Sequence, residues 1–311
     1  MSLLDKVPGP LKLYIGGLFT LRRKAALKEC GITHVLSVLR LPLEQDLFEG
    51  YVHHVVEVDD VDDENLLQYL PQTSKFIQDG LDTGDSVLVH CAMGKSRSAT
   101  CVVAYLMKHY DIGPDDALAK LREARPFVEP NAGFMEQLRL YHEMGMPDDL
   151  EPVPAYQRWL YRREVEFSRA CGQAPEADKI RFEDEHVPDS TPAAFELRCR
   201  KCRRALATSQ YVVQHDQDTG GPSCAHYFVD PLSWMKTELE QSKLDGRLEC
   251  PKCSTNVGKY AWQGMRCSCG AWVVPAISLA KGRIDEHKGS TVTNAAKFGI
   301  RQPPRAGHEN L

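Results

Sequence analysis

Along the first 150 residues, short apolar runs rich in β-branched side chains alternate with longer segments of helical period. Leu13-Tyr14-Ile15, Thr33–Leu39, His53–Val58 and Ser86–His90 read as strands, and the unbroken Val87-Leu88-Val89 marks the last as buried. Leu21–Glu29, stopped near Gly31, reads as a helix. So does Asn65–Leu81, with apolar positions at Leu66, Leu70 and Phe76. Ser98–Tyr110, Pro114–Ala124 and Glu136–Met144 follow as three more. Strands alternating with helices predict an α/β layer fold: a central, mostly parallel sheet flanked by helices, closing near residue 147.

The pattern then changes. Residues 148–194 are rich in Pro, Glu and Asp and hold one helix candidate, Tyr156–Ala170, ahead of a polar linker over 172–192. From 195 to 284 come three cysteine pairs, Trp234, Trp262 and Trp272, and short β-like runs such as Trp272-Val273-Val274. These predict a small β-rich domain. Residues 285–311 are polar, include Pro303-Pro304, and read as a flexible tail.

A length of 311 residues accommodates two domains and a linker. The apolar fraction of 42% allows a sizeable core, and no run approaches the roughly 18–20 apolar residues that span a bilayer, so no membrane partner is expected. Met1-Ser2-Leu3-Leu4-Asp5-Lys6 lacks the basic-then-apolar pattern of a secretory leader, which predicts a reducing compartment. The net charge of -5 is unevenly placed: the acidic excess lies in 1–150 and a basic excess in 191–311. The second half therefore suits an acidic partner, or presents a solvated basic face.

Between the buried strand and the next helix runs His90-Cys91-Ala92-Met93-Gly94-Lys95-Ser96-Arg97-Ser98. Cysteine, five residues and arginine at a strand-to-helix turn form a cradle for a tetrahedral dianion. Backbone N–H groups of 92–97 can point at phosphoryl oxygens, and the helix N-terminus adds a positive field. Gly94 permits the tight turn, and Arg97 offers a planar fork for two oxygens. A cysteine in such surroundings is held as thiolate and can attack phosphorus. Ser98 is placed to hydrogen-bond the sulfur as it leaves, and His90 to orient the loop. Lys95 adds charge at the rim. The leaving oxygen needs a proton, and Asp59, Asp60, Asp62, Asp63 and Glu64 follow the strand at 53–58. Residue chemistry alone leaves that choice open, because Asp62, Asp63 and Glu64 also suit the N-terminus of the next helix.

His90–Ser98 resembles the signature of the dual-specificity protein phosphatases, a branch of the protein tyrosine phosphatase superfamily. Leu13-Tyr14-Ile15-Gly16, Gly31-Ile32-Thr33-His34-Val35 and Arg125-Pro126-Phe127-Val128-Glu129-Pro130-Asn131-Ala132-Gly133-Phe134 resemble other landmarks of that family. The resemblance covers residues 8–145 and implies the tyrosine-phosphatase-like fold with a shallow pocket. It implies action on phosphotyrosine and phosphoserine or phosphothreonine through a phosphocysteine. It also implies Asp60 as the acid, with Asp59 second, because Val56-Glu57-Val58-Asp59-Asp60 fits the family's strand end.

Seven of the eleven cysteines crowd into 199–269. Cys199-x2-Cys202, Cys250-x2-Cys253 and Cys267-x-Cys269 each present two thiolates to one ion. With Cys224 and one of His215 or His226 they supply eight ligands, enough for two closed tetrahedral zinc sites whose ions supply folding energy rather than catalysis. Cys30, Cys101 and Cys171 read as ordinary thiols. Phe195, Arg198-Cys199-Arg200-Lys201-Cys202-Arg203-Arg204, Cys250-Pro251-Lys252-Cys253 and Trp262 through Pro275 resemble the C-terminal two-zinc domain of the Yvh-type dual-specificity phosphatases. That subfamily implies His215 over His226. It also implies docking on pre-60S ribosomal particles, protein and rRNA, as a ribosome assembly factor of cytoplasm and nucleus. The basic run at 198–204 suits such a partner. Two readings compete with a phosphatase of phosphorylated proteins: a mainly non-catalytic assembly protein, and a phosphatase for RNA or lipid phosphomonoesters.

Overall fold

The computed structural model describes residues 4–42, 44–186, 193–215 and 224–288. The chain divides into two compact units, Met1–Tyr156 and Gln157–Leu311.

In the first unit the apolar runs become a five-stranded sheet ordered β1 (Leu4–Lys6), β2 (Leu13–Gly17), β5 (Ser86–Cys91), β3 (Ile32–Val38) and β4 (Val52–Val56). The pairs β2–β5, β5–β3 and β3–β4 are parallel; β1 adds antiparallel at one edge. Every residue of β5 is buried, because it lies at the sheet centre with both faces covered. Leu88 turns toward α1 (Lys24–Glu29) and packs with Leu21, Leu27 and Phe48. Val87, on the other face, lies against α2 (Leu70–Asp82). On that face α3 (Arg97–Tyr110) packs against β5, and α2, α4 (Pro114–Ala124) and α5 (Ala132–Glu143) pack against α3. Ser98 through Met107 of α3 are all buried, as a helix surrounded by three others requires.

Three helix boundaries differ from the periodicity. The first helix begins at Lys24, after a separate 3-10 turn over Leu18–Arg22. The Asn65–Leu81 helix begins at Leu70, because the amides of Leu66 and Leu67 donate to Gln137 Oε1 instead of entering a helical ladder. The last helix begins earlier than Glu136, at Ala132, because Asn131 caps it by accepting from the Phe134 amide.

α6 (Pro154–Cys171) crosses the division between the units. The second unit holds an antiparallel sheet ordered β10 (Asp245–Glu249), β11 (Asn256–Ala261), β14 (Ala276–Ala280), β9 (His226–Val229) and β8 (Val212–Val213). A three-stranded sheet orders β15 (Ile284–His287), β6 (Glu196–Cys199) and β7 (Ala205–Thr208). A small ribbon joins β12 (Met265–Arg266) to β13 (Trp272–Val273), and α7 (Lys236–Leu239) is one short helix. Trp262, Tyr260, Tyr211, Leu248, Ile277 and Leu279 form its core.

Two expectations are corrected here. The stretch expected as a polar linker is partly core: Ile180 and Phe182 are buried with Val165 and Leu197 in the second unit, which the surrounding Glu, Asp and Lys concealed. The tail does not begin at 285, because Asp285, Glu286 and His287 pair with Arg198, Leu197 and Glu196 of β6. The rest of the expected tail, 289–311, and residues 187–192 of the linker lie outside the described residues.

Candidate active site and cysteine clusters

β5 delivers Cys91 to the C-terminal edge of the sheet, and α3 starts six residues later. The first helical bond of α3 runs from the Thr100 amide to the Ser96 carbonyl. The amides of Arg97, Ser98 and Ala99 thus stand outside the helix's own ladder, at the end that carries positive partial charge. Cys91 is buried, and its sulfur accepts from the Gly94 amide and from Ser98 Oγ, each at 3.2 Å. Both contacts stabilise negative charge on sulfur. Gly94 has φ +69°, and a Cβ there would lie 2.4 Å from the Gly16 carbonyl oxygen, so only glycine closes this loop.

Neighbouring elements brace the loop. Leu18 donates its amide to Ala92 O at 3.0 Å, and Glu129 donates its amide to Lys95 O at 2.9 Å. Arg125, 3% exposed, donates from Nε to Gly94 O at 2.8 Å and from Nη2 to Met93 O at 2.9 Å. Its Nη1 meets Asp5 Oδ2 at 2.5 Å. The sequence placed Arg125 in a family landmark but gave it no task; its partners lie about thirty and a hundred and twenty residues away, beyond any local pattern. Lys95 does not leave free charge at the rim, because its ammonium lies 2.7 Å from Glu129, whose carboxyl that contact holds below its usual range.

The two candidate acids separate clearly. Asp60 Oδ1 accepts from Ser96 Oγ at 2.6 Å and from Asn131 Nδ2 at 3.1 Å, and its Oδ2 lies 3.6 Å from Arg97 Nε. Asp59 points to the surface and pairs with Arg40 at 2.9 Å. Gly133 lets α5 approach this acidic loop, since a Cβ there would lie 1.8 Å from the Asp62 carbonyl oxygen. Arg97 donates from Nη1 to Val58 O at 3.1 Å, while its Nε is buried without a hydrogen-bond partner among the described residues.

Behind the loop, His90 Nε2 lies 2.6 Å from Ser37 Oγ, which lies 2.8 Å from His53 Nε2. His90 Nδ1 faces the Cys91 carbonyl at 3.3 Å. A carbonyl only accepts, so Nδ1 carries the proton. Burial pushes His90 down to about 4, so the ring is neutral and Nε2 accepts from Ser37. Ser37 must then accept from His53, which burial and the neighbouring His54 also push down to about 4, and whose ring stacks 3.5 Å from that of Phe48. Both ring nitrogens of His90 are thus engaged, one at the Cys91 carbonyl and the other at Ser37. Cys101, one turn into α3, is pushed up to about 12 by burial and stays a thiol.

In the second unit, the sulfurs of Cys199, Cys202, Cys250 and Cys253 converge, as do His215, Cys224, Cys267 and Cys269, each set within 4.8 Å. The grouping of these side chains was open in the sequence; for the four-cysteine set it follows from two hairpins that bring their turns together. In β6–β7, Arg203 (φ +63°) donates its amide to Cys199 O, and in β10–β11, Ser254 (φ +52°) donates its amide to Cys250 O. These are the same turn built twice. The Cys199–Cys253 and Cys202–Cys250 sulfur distances are 3.8 and 3.5 Å. A tetrahedron of Zn–S bonds near 2.3 Å has edges of about 3.8 Å, whereas a disulfide would bring sulfurs to about 2.05 Å. His215 Nε2 lies 3.3 Å from the sulfurs of both Cys224 and Cys269. His226 stands in β9, outside both clusters. Of the basic run, Arg198 is paired with Glu196, and Arg200 and Arg203 share Asp285, which leaves less of its charge for an outside partner than the sequence suggested.

Residues 13–144 match the family model described as dual specificity phosphatase, catalytic domain. The tyrosine-protein phosphatase yvh1 of Schizosaccharomyces pombe is 38% identical over 281 residues, covering 88% of this chain and 82% of the relative. Dual specificity protein phosphatase 12 of Homo sapiens is 31% identical over 313 residues, covering 92% and 89%. The crystal structure of the Yvh1 phosphatase domain from Chaetomium thermophilum is 37% identical, with a TM-score of 0.44, covering 47% of this chain and 99% of that one.

Proposed function

The chain belongs to the Yvh1-type dual-specificity phosphatases, which are cysteine-dependent protein phosphatases, and on that premise we propose that Cys91, Arg97, Asp60 and Ser98 carry a two-step hydrolysis of phosphotyrosine and of phosphoserine or phosphothreonine. The Cys91 thiolate attacks phosphorus; the S–P bond forms as the P–O bond to the substrate oxygen breaks, and Asp60 delivers its proton to that oxygen. The Asp60 carboxylate then takes a proton from water, whose oxygen displaces the sulfur and releases phosphate. Ser98, at 3.2 Å, hydrogen-bonds the departing sulfur. The loop amides of Ala92, Met93, Gly94, Lys95 and Ser96 and the fork of Arg97 hold the three equatorial oxygens. The observation that carries the reading is the buried Cys91 sulfur receiving Gly94 N–H and Ser98 O–H at a helix N-terminus, with Asp60 hydrogen-bonded to the same loop. Cys91→Ser should abolish hydrolysis of p-nitrophenyl phosphate while leaving the unfolding midpoint unchanged; retained hydrolysis would sink the assignment.

We read the two cysteine clusters as closed zinc sites, on the support of their sulfur spacing and thiolate-rich donor sets. Bound there, the ions would cross-link hairpins that otherwise meet through a small core. Metal analysis of the purified chain should find about two zinc ions, and zero or one would refute the eight-ligand assignment.

The third element of the proposal is docking of the second unit on pre-60S ribosomal particles, in nucleus and cytoplasm. Its support is the Yvh-type domain pair and the basic excess in 191–311, to which Lys201 and Arg204 contribute beside the paired arginines. A Cys91→Ser chain expressed in cells lacking the protein separates the roles. Rescue of large-subunit assembly would place docking above catalysis, and failure despite particle binding would make catalysis necessary.

A further inference from the structure

Three polar side chains line one face of the first sheet beside the phosphate loop, and the two-step hydrolysis uses none of them. Ser37 of β3 stands opposite His90 of β5 in the parallel register, and Val35, two residues before Ser37, stands opposite His53 of β4. Alternate residues of a strand share a face, so His90, Ser37 and His53 form a row across three strands. Ser37 and His90 are fully buried, and His53 is half-buried at the outer end, its ring stacked on Phe48. The row is joined at 2.6 Å from His90 Nε2 to Ser37 Oγ and at 2.8 Å from Ser37 Oγ to His53 Nε2. A buried polar row of this kind is high in cost unless every member is satisfied, and its inner end meets the nucleophile's own carbonyl.

That carbonyl belongs to a series. From Cys91 to Lys95 each backbone carbonyl meets a donor: Cys91 O the His90 ring, Ala92 O the Leu18 amide, Met93 O and Gly94 O the Arg125 guanidinium, and Lys95 O the Glu129 amide. These peptides are trans, so each carbonyl drawn to its donor turns the following N–H the opposite way. The five together aim the amides of Ala92 through Ser96 away from those donors, on the side where Gly94 N–H reaches the Cys91 sulfur. Amides and a guanidinium can only donate. The imidazole is the exception, since Nδ1 can face a carbonyl with a proton or with a lone pair. Its bond to Cys91 O, at 3.3 Å, is also the longest of the five. The short contact to Ser37 is what holds the ring, and Ser37 O–H donating to Nε2 leaves the proton on Nδ1. Ser37 has one proton to give; His53 Nε2–H, by donating to Ser37 Oγ, commits that proton to His90.

We propose that Ser37, backed by His53, is a positioning residue for the phosphate loop: it fixes the His90 ring and its tautomer, and through the Cys91 carbonyl it aims the Ala92 amide at the phosphoryl group. This rests on the phosphatase reading of Cys91. The test measures kcat/KM for p-nitrophenyl phosphate on the full chain, with urea unfolding to confirm that each variant is folded. Ser37→Ala should lower kcat/KM by about tenfold, part of the roughly 10²–10³-fold that loss of one oxyanion donor costs. His53→Phe keeps a ring over Phe48 without a donor and should lower it by about threefold, and His53→Gln, which restores a donor, should recover the wild-type value. His90→Asn keeps an N–H beside the Cys91 carbonyl but cannot reach Ser37, so adding Ser37→Ala to it should change kcat/KM by less than about twofold. The same tenfold loss in that background, as a merely structural serine would give, overturns the inference. So does a folded Ser37→Ala chain with wild-type kcat/KM, or equal values for His53→Phe and His53→Gln. The nitrogen-15 spectrum reads the tautomer without activity: the His90 signal, identified by its absence from His90→Asn, should show the proton on Nδ1, and a proton on Nε2 alone overturns the inference. A wild-type chain with the proton on Nδ1 but no p-nitrophenyl phosphate hydrolysis would instead count against the phosphatase reading itself.

Discussion

Replacing Arg125 by Met keeps the length of the side chain and deletes its charge and all its donors. In the fold, that guanidinium holds two carbonyls of the phosphate loop, those of Met93 and Gly94, and neutralises Asp5, whose side chain is only 15% exposed. Hydrogen bonds from a charged donor contribute about 1.5–3 kcal/mol each, and removing one partner of a buried ion pair costs about 3–5 kcal/mol. These effects overlap, so Arg125→Met should lower the unfolding free energy by about 3–5 kcal/mol. Because the lost bonds hold the loop that must cradle the transition state, kcat/KM should also fall by about a hundredfold or more, equivalent to roughly 2.7 kcal/mol. Asp5→Asn leaves both carbonyl bonds in place and should cost less than half as much in either measure. The double variant Asp5→Asn with Arg125→Met removes the stranded carboxylate, so its loss of stability should fall short of the sum of the single losses by about 1–3 kcal/mol. Urea unfolding and p-nitrophenyl phosphate kinetics on the four proteins complete the cycle. A folded Arg125→Met chain with kcat/KM within threefold of wild type, or a coupling near zero, would refute Arg125 as the brace of the loop.

Three more outcomes follow from single contacts. Asp60→Asn should lose the basic limb of the pH–rate profile, whereas Asp59→Asn, which breaks an exposed pair with Arg40, should keep it and change stability by less than about 1 kcal/mol. Asp230 is pushed up to about 6 by burial and by Glu183, against the pull of Arg158. Its folded form holds a proton longer than the unfolded form, so stability of the second unit declines as pH rises from about 4 to about 6, and Asp230→Asn should gain about 1–2 kcal/mol at pH 7.5 with a smaller gain at pH 5; an equal gain at both would exclude the titration. Ser254→Gly should stabilise the second unit by about 0.5–1 kcal/mol, because Ser254 is held at φ +52° where glycine carries no Cβ penalty, and a loss of stability in chemical unfolding would contradict that.

The loop from Cys91 to Arg97 and its turn into α3 were legible because they are local. Residues 90–98 contain the whole cradle, and a buried strand followed by an amphipathic helix dictates the turn between them. The cysteine pairs were legible for the same reason: Cys-x2-Cys is a complete chelating turn. The linker was misread because Ile180 and Phe182 are two apolar residues among acids, too few to set a period, and only the core around Val165 and Leu197 explains them.

What the sequence by itself determined is therefore what fits within one turn of chain: the cysteine and its loop, the cysteine pairs, and the order of strands and helices. Only the tertiary structure decided which acid faces Arg97, which histidine joins Cys224, how the eight clustered cysteine and histidine side chains divide into two sets, and that Arg125 braces the loop. The physical reason is range. A local motif is fixed by dihedral angles and neighbouring side chains, whereas Asp60 against Ser96, Cys202 against Cys250 and Arg125 against Asp5 meet only after non-local sheet pairing has closed the chain upon itself.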